Sequence, residues 1–419
     1  MKEMPRYLGR LKCLQTLTKF IVGKHSGFGI EELGKLTNLR DGTLSILNLQ
    51  NVGSPMDAKD AKYLRDRKYL KELVLEWKVD DTHALESHLI VLESLQPHSN
   101  LRSLFINGYG GKSFPDWVGH HSFSNITSLH LNNCKFCCSL PPLGQLPSLQ
   151  DLSIVGLNGV VTVGHEFYGI GSSSMQPFGA LKVISFKNML NWEEWVSFDP
   201  GNECEAFPSL RNLIIHDCPN FGSFLKEGLF APNLEEFQIT KCRSLQSLPD
   251  KMHILLPSLE ELHMEDCPEV ESFPEGGLPS NVNTISISNC DKLFARRLRW
   301  DLQNLPSVRR FQVVGQSEDV ESFPDEGLLP ATLSYLHIEG FPNLKSLDKK
   351  GLQHLTALEE LKIWNCPKLQ CMPEDGLPPS LTTLNISSCP LLEKEWDRKT
   401  EEWRKIAHVR HKWVNGRLE

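Results

Sequence analysis

Several clusters in this 419-residue chain carry residue types that could do chemistry. Cys134, Cys137 and Cys138 contain a Cys-x-x-Cys, the spacing of dithiol redox centres and of half a zinc finger. No second pair follows at finger spacing and no strand-helix redox context surrounds the first. Gly108-Tyr109-Gly110-Gly111-Lys112-Ser113 matches the end of a phosphate-cradling loop, but that loop needs glycine where Ile106 stands. Phe114-Pro115-Asp116-Trp117 follows it instead of a helix. His408 and His411 lie three apart without the glutamate of a metalloprotease or a third ligand. Gly164, Gly169 and Gly171 miss the dinucleotide spacing. No Gly-x-Ser-x-Gly turn is present, and the 52 carboxylates form no pair that stands out. The sequence therefore predicts no catalytic residue, no cofactor site, no metal ligand and no enzyme activity.

What would hold such residues in place is a repeat. Three apolar positions in the form Leu-x-x-Leu-x-Ile, often followed three residues later by Cys, begin at Leu70, Leu101, Ile126, Leu149, Leu181, Leu210, Leu234, Leu259, Val282, Val308, Leu333, Leu358 and Leu381. The gaps run from 23 to 32 residues, the period of leucine-rich repeats and shorter than helical repeats. Looser copies around Leu14, Leu17 and Phe20 and across 44–49 predict two more strands. The expected fold is an α/β leucine-rich repeat solenoid, a horseshoe with a parallel concave sheet of about 13–15 short strands. Phrases such as Phe273-Pro274-Glu275-Gly276-Gly277-Leu278-Pro279 exclude long helices from the convex side. Helical patterns fall at 57–66 and 84–95, and long loops at 169–176 and 198–206. Three divisions follow: loosely patterned repeats with a helical insertion over 1–69, regular repeats over 70–392, and a helical cap and tail over 393–419, needed because an uncapped terminal strand invites edge pairing.

The repeat reassigns the cysteines. Cys134, Cys218, Cys242, Cys267, Cys290, Cys366 and Cys389 share one slot, where a buried side chain donates a hydrogen bond to loop backbone. They are expected to form a structural column of free thiols. Function then belongs on the outward strand positions. Ser103, Phe105, Ser128 and His130 stand there in the N-terminal half. The acidic and aromatic set Glu236, Gln238, Glu261, His263, Glu265, Tyr335, His337, Glu339, Glu360, Lys362 and Trp364 is the expected contact surface for a partner protein.

Composition narrows the classes. A formal net charge of −8 disfavours nucleic acid, and the run Arg296, Arg297, Arg299, Arg309 and Arg310 reads as a solvated loop face. No apolar run approaches the roughly 20 residues of a membrane span. No secretory leader is evident, so the chain is expected in the cytoplasm or nucleus, where the sequons at Asn125 and Asn385 stay unmodified.

Longer phrases resemble the repeat region of plant coiled-coil NBS-LRR disease-resistance proteins. They are Met4-Pro5 with 8–23, then 58–77, 95–117, 140–169, Asn191-Trp192-Glu193-Glu194-Trp195, and the ending Trp403-Arg404-Lys405-Ile406-Ala407-His408-Val409. The resemblance implies a recognition module of plant innate immunity. It would sense pathogen effectors or effector-modified host proteins and contact the nucleotide-binding domain of a full receptor. Nothing here resembles the Walker or Met-His-Asp motifs, so ADP or ATP is expected only in that other domain, and the chain is expected to be the repeat region alone. The alternatives are a truncated nonfunctional paralogue or fragment, and an F-box-type ubiquitin-ligase adaptor, for which 1–33 shows no F-box-like segment.

Overall fold

The computed structural model describes residues 4–25, 27–52, 64–78, 85–169, 176–196, 206–225, 228–315, 319–394 and 401–418, without the side chains of 85 and 86. The chain divides into two compact units, Met1–Pro232 and Asn233–Glu419.

In the first unit the strands are β1 (Lys19–Ile21), β2 (Thr43–Leu47), β3 (Glu72–Glu76), β4 (Ser103–Asn107), β5 (Ser128–Asn132), β6 (Asp151–Val155), β7 (Thr162–Val163), β8 (Val183–Lys187), β9 (Glu194–Trp195) and β10 (Asn212–His216). All but β7 and β9 form one parallel sheet in sequence order. β7 and β9 pair with each other on the return side. The second unit holds β11 (Glu236–Thr240), β12 (Glu261–Glu265), β13 (Thr284–Ser288), β14 (Arg310–Val314), β15 (Ser322–Phe323), β16 (Tyr335–Glu339), β17 (Ser346–Leu347), β18 (Glu360–Trp364), β19 (Thr383–Ser387), β20 (His411–Val414) and β21 (Arg417–Leu418). Here β15 and β17 form the separate return-side pair. The others are parallel neighbours in sequence order from β11 to β20. Both units are leucine-rich repeat solenoids, as the repeat predicts.

Within each strand the residues alternate inward and outward. In β12, Leu262 and Met264 turn inward and are buried while Glu261, His263 and Glu265 face out. Burying one such Leu or Met stabilises by roughly 1.5–3 kcal/mol. That is too little to order about 25 residues by itself at 1–2 kcal/mol of backbone entropy each, so repeats hold only by stacking.

The strand ends at a left-handed residue. Asn133, Asp217, Lys241, Asp266, Asn289, Asn365 and Ser388, each directly before a column cysteine, have φ between 52 and 57°. Asn and Asp tolerate that region better than other side chains, and in repeats without the cysteine Gly108, Gly156, Asn188 and Gly340 take the same turn. The chain then folds inward, which sinks the next side chain. All seven column thiols lie 3.3–3.6 Å from the carbonyl two residues earlier. Cys134, Cys267 and Cys389 also lie 3.7–3.8 Å from a carbonyl of the preceding strand. All seven are buried free cysteines.

Burial pushes the Cys218 thiol up to about 12. A hydrogen bond with the Cys242 thiol, then burial, does the same for Cys267. Relative to an ordinary pKa of about 8.5, such a group holds roughly a thousandfold less thiolate at neutral pH. Because all seven column cysteines are buried, we expect iodoacetamide to label exposed Cys13, Cys138 and Cys371 and to spare the column until denaturant is added, as read by peptide mass spectrometry. Column cysteines labelled in the native protein at the rate of the exposed ones would contradict this packing.

On the return side, Phe323, Leu328, Met372 and Leu377 of the Pro-rich phrases are buried. A predicted helix at 84–95 is seen as Leu85–Ser94. The pattern at 57–66 and the loops at 169–176 and 198–206 lie largely outside the described residues. At the C-terminus the structure refines the expected cap. Helical turns at Pro390–Lys394 and Glu401–Lys405 lead into β20, which continues the parallel sheet, and β21 folds back antiparallel. Lys412 sits in the inward column that Leu361 and Leu384 fill in the preceding strands, which hides the strand from an apolar pattern. It is buried, donates to the Val409 carbonyl and lies 5.4 Å from the Trp403 ring centroid. Asn415-Gly416, with φ of 47 and 77°, makes the two-residue turn characteristic of hairpins.

Candidate functional site

Strand register sorts the outward side chains of the second unit into three rows. One runs Glu236, Glu261, Thr284, Arg310, Tyr335, Glu360; the next Gln238, His263, Ser286, Gln312, His337, Lys362; the third Thr240, Glu265, Ser288, Val314, Glu339, Trp364. All eleven residues expected at the contact surface lie on this one face. They form two groups rather than an even ridge, because β13 presents only Thr284, Ser286 and Ser288 between them.

The group on β14, β16 and β18 is the more tightly built. The Arg310 guanidinium lies 3.9 Å from the Tyr335 ring centroid and the Lys362 ammonium 5.0 Å from it, so two cations lie against the ring. Lys362 is also 3.0 Å from a Glu360 carboxylate oxygen. Burial draws the Lys362 pKa down, but Glu360 and Tyr335 outweigh it and the net shift is upward. Beside this stack Trp364 meets the His337 ring edge-on, centroids 4.8 Å apart, and its indole N–H donates to the Asn385 side-chain oxygen at 3.3 Å. Asn365 fixes Glu339 from the strand end at 2.9 Å. Tyr335 and His337, expected as displayed side chains, are instead the floor of the group, 8% and 5% exposed. Arg310, Lys362 and Trp364 cover them. Arg310, grouped by the basic run with a solvated loop face, stands on β14 instead; Val308 begins a repeat and puts Arg310 and Gln312 outward by the rule that selects Tyr335 and His337.

Arg296, Arg297 and Arg299 of that run do lie on the return side, between β13 and β14. There Arg296 pairs with Glu271 at 2.6 Å and Arg297 with Asp325 at 2.5 Å. Lys292 with Glu269 and Lys345 with Glu321 extend the ladder at 2.5 and 2.6 Å. These cations are neutralised locally rather than gathered into a phosphate-binding stripe. In the first unit the outward Phe105 and His130 rings stack at 4.4 Å with Ser128 hydrogen-bonded to His130 at 2.8 Å. The Cys134–Cys137 pair is buried and reduced.

Burial holds the His337 pKa below its ordinary 6.5; Glu339 and Glu360 oppose the shift and Lys362 adds to it. Nε2 lies 3.4 Å from a Glu339 oxygen but is not aligned for a hydrogen bond. The unfolded chain therefore takes up a proton on this histidine more readily than the folded chain. Its contribution to stability is full above about 6.5 and shrinks as pH falls below that toward the lower folded value. We expect the resistance of the second unit to urea unfolding to fall from pH 7 to pH 5, and His337→Gln to flatten that slope. An unchanged slope in the variant would remove His337 as the cause.

No helix of the described residues is long and apolar enough to cross a membrane. Comparison with known proteins adds the rest. Residues 30–157 match the family model of R13L1/DRL21 leucine-rich repeats. The chain is 33% identical over 395 residues to disease resistance RPP13-like protein 1 of Arabidopsis thaliana, covering 91% of this chain and 32% of that protein. It is 32% identical over 352 residues to disease resistance protein RGA1 of Solanum bulbocastanum, covering 82% and 28%. The chain thus spans about a third or less of the length of the curated relatives it matches. Among solved structures, a leucine-rich repeat protein of Leptospira interrogans aligns over 91% of both chains at 18% identity and a TM-score of 0.45.

Proposed function

The chain is a leucine-rich repeat module of the plant disease-resistance type, and from that premise we propose that it recognises protein in plant innate immunity. It senses a pathogen effector, or a host protein altered by one, through the outward face of β11 to β18. One observation supports this reading: Arg310 and Trp364, from strands on either side of β16, are seated against the buried rings of Tyr335 and His337. Tyr, Trp and Arg are the residues in which interface energy concentrates. Rigid strands hold them pre-ordered, so little side-chain entropy is left to lose on binding. The surface is mixed in charge. Glu236, Glu261 and Glu265 make its β11–β12 end acidic, which suits a partner carrying basic side chains there. In a longer receptor the same module would contact the nucleotide-binding domain and operate without a cofactor of its own, in the cytoplasm or nucleus.

The test is direct. The purified chain is screened against pathogen effectors by biolayer interferometry, and a binder is mapped by hydroxyl-radical footprinting. Protection of Trp364 and its neighbours supports the reading, while a footprint confined to the Pro-rich returns refutes it.

A further inference from the structure

We infer that Glu236, Glu261 and His263 form a binding site for a divalent transition-metal ion of the zinc class. The three come from two neighbouring strands, and their ligand atoms all lie within 4.8 Å of one another. His263 Nε2 is 3.1 Å from Glu261 Oε2. On the far side the Gln238 amide donates to Glu236 at 2.6 Å and fixes that carboxylate's orientation.

Register supplies an independent reason to look here. Glu236 and Glu261 stand directly opposite on adjacent strands, and like charges in that relation are destabilising. No other pair of like-charged carboxylates faces across the described strand pairs. A cation between them converts the repulsion into ligation.

The donor set selects the ion class. One imidazole nitrogen with two carboxylate oxygens suits zinc and its first-row neighbours better than calcium, which prefers six or more oxygens. Bonds of about 2.0–2.2 Å around a tetrahedral ion bring donors to within about 3.5 Å of each other. Side-chain rotation closes that difference, with the strands unmoved. Three protein ligands leave a fourth position open to water or to a donor from another molecule. Because Glu236 lies a full repeat before Glu261 and His263, no short motif announces the three.

Zinc chloride is titrated calorimetrically into the full chain after alkylation of its accessible thiols, which would otherwise take up zinc. We expect one equivalent bound, with affinity reduced at least tenfold in both Glu261→Gln and His263→Gln and unchanged in Glu275→Gln on the return side. Circular dichroism confirms that each variant is folded. Absence of binding to the parent chain, or binding that neither site variant weakens, overturns the site. Effector recognition measured without added metal stands or falls separately.

Discussion

Trp195→Ala is expected to lower the unfolding free energy of the first unit by about 3–5 kcal/mol, the range for truncating a fully buried aromatic side chain. Trp195 is 0% exposed and sits among Phe186, Phe207 and Trp192, with ring centroids 5.2, 5.8 and 6.0 Å away. Its indole N–H donates to the Tyr168 hydroxyl at 2.9 Å, so the change removes a hydrogen bond as well as volume. Against a net stability of roughly 5–15 kcal/mol for an ordinary domain, a loss of that size leaves little margin. Urea titration followed by circular dichroism measures it, with Trp195→Phe expected to recover part of the loss. A loss below about 1 kcal/mol, the usual size for a change outside the core, would mean that the aromatic cluster does not hold the unit.

Trp364→Ala is expected to do the opposite: leave the fold intact and weaken partner binding by about 2 kcal/mol, near thirtyfold. Trp364 faces out, touching His337 and Asn385 but filling no part of the inward core. Truncation therefore uncovers the histidine without opening a cavity among Leu361 and Ile363. Arg310→Ala is expected to weaken binding as well, with part of the effect in the association rate and therefore sensitive to salt. Binding kinetics at two ionic strengths separates the two. Trp364→Ala that binds its partner at parental strength would remove Trp364 from the interface.

The fold was largely legible because each repeat states its strand twice, by alternation and by period. β1 and β2 were readable even in loose copies, since Phe20 and Ile46 still occupy inward slots. The terminal hairpin was not, because Lys412 holds a position where the pattern demands an apolar residue. The Asn415-Gly416 turn was the signal to use there. Outward residues were legible as positions but not as surroundings. Which of them become floor and which become rim depends on neighbours one strand away, so Tyr335 and His337 looked exposed until Arg310, Lys362 and Trp364 were placed over them. The meeting of Glu236, Glu261 and His263 was hidden for the same reason. Counting a basic run along the chain concealed Arg310, whose companions Arg296 and Arg297 lie on the other side of the repeat.

Recognition on the outward face of β11 to β18 is open to a direct experiment in a resistance receptor carrying this repeat region, by exchanging the eleven outward residues from Glu236 to Trp364, with Arg310, for those of a relative. Defence responses to a panel of pathogen isolates are then scored, with thermal melting confirming the exchanged protein is folded. The recognised isolates are expected to change with the exchanged residues while the melting temperature stays within a few degrees. An unchanged recognition spectrum in the folded exchange would contradict recognition on this face.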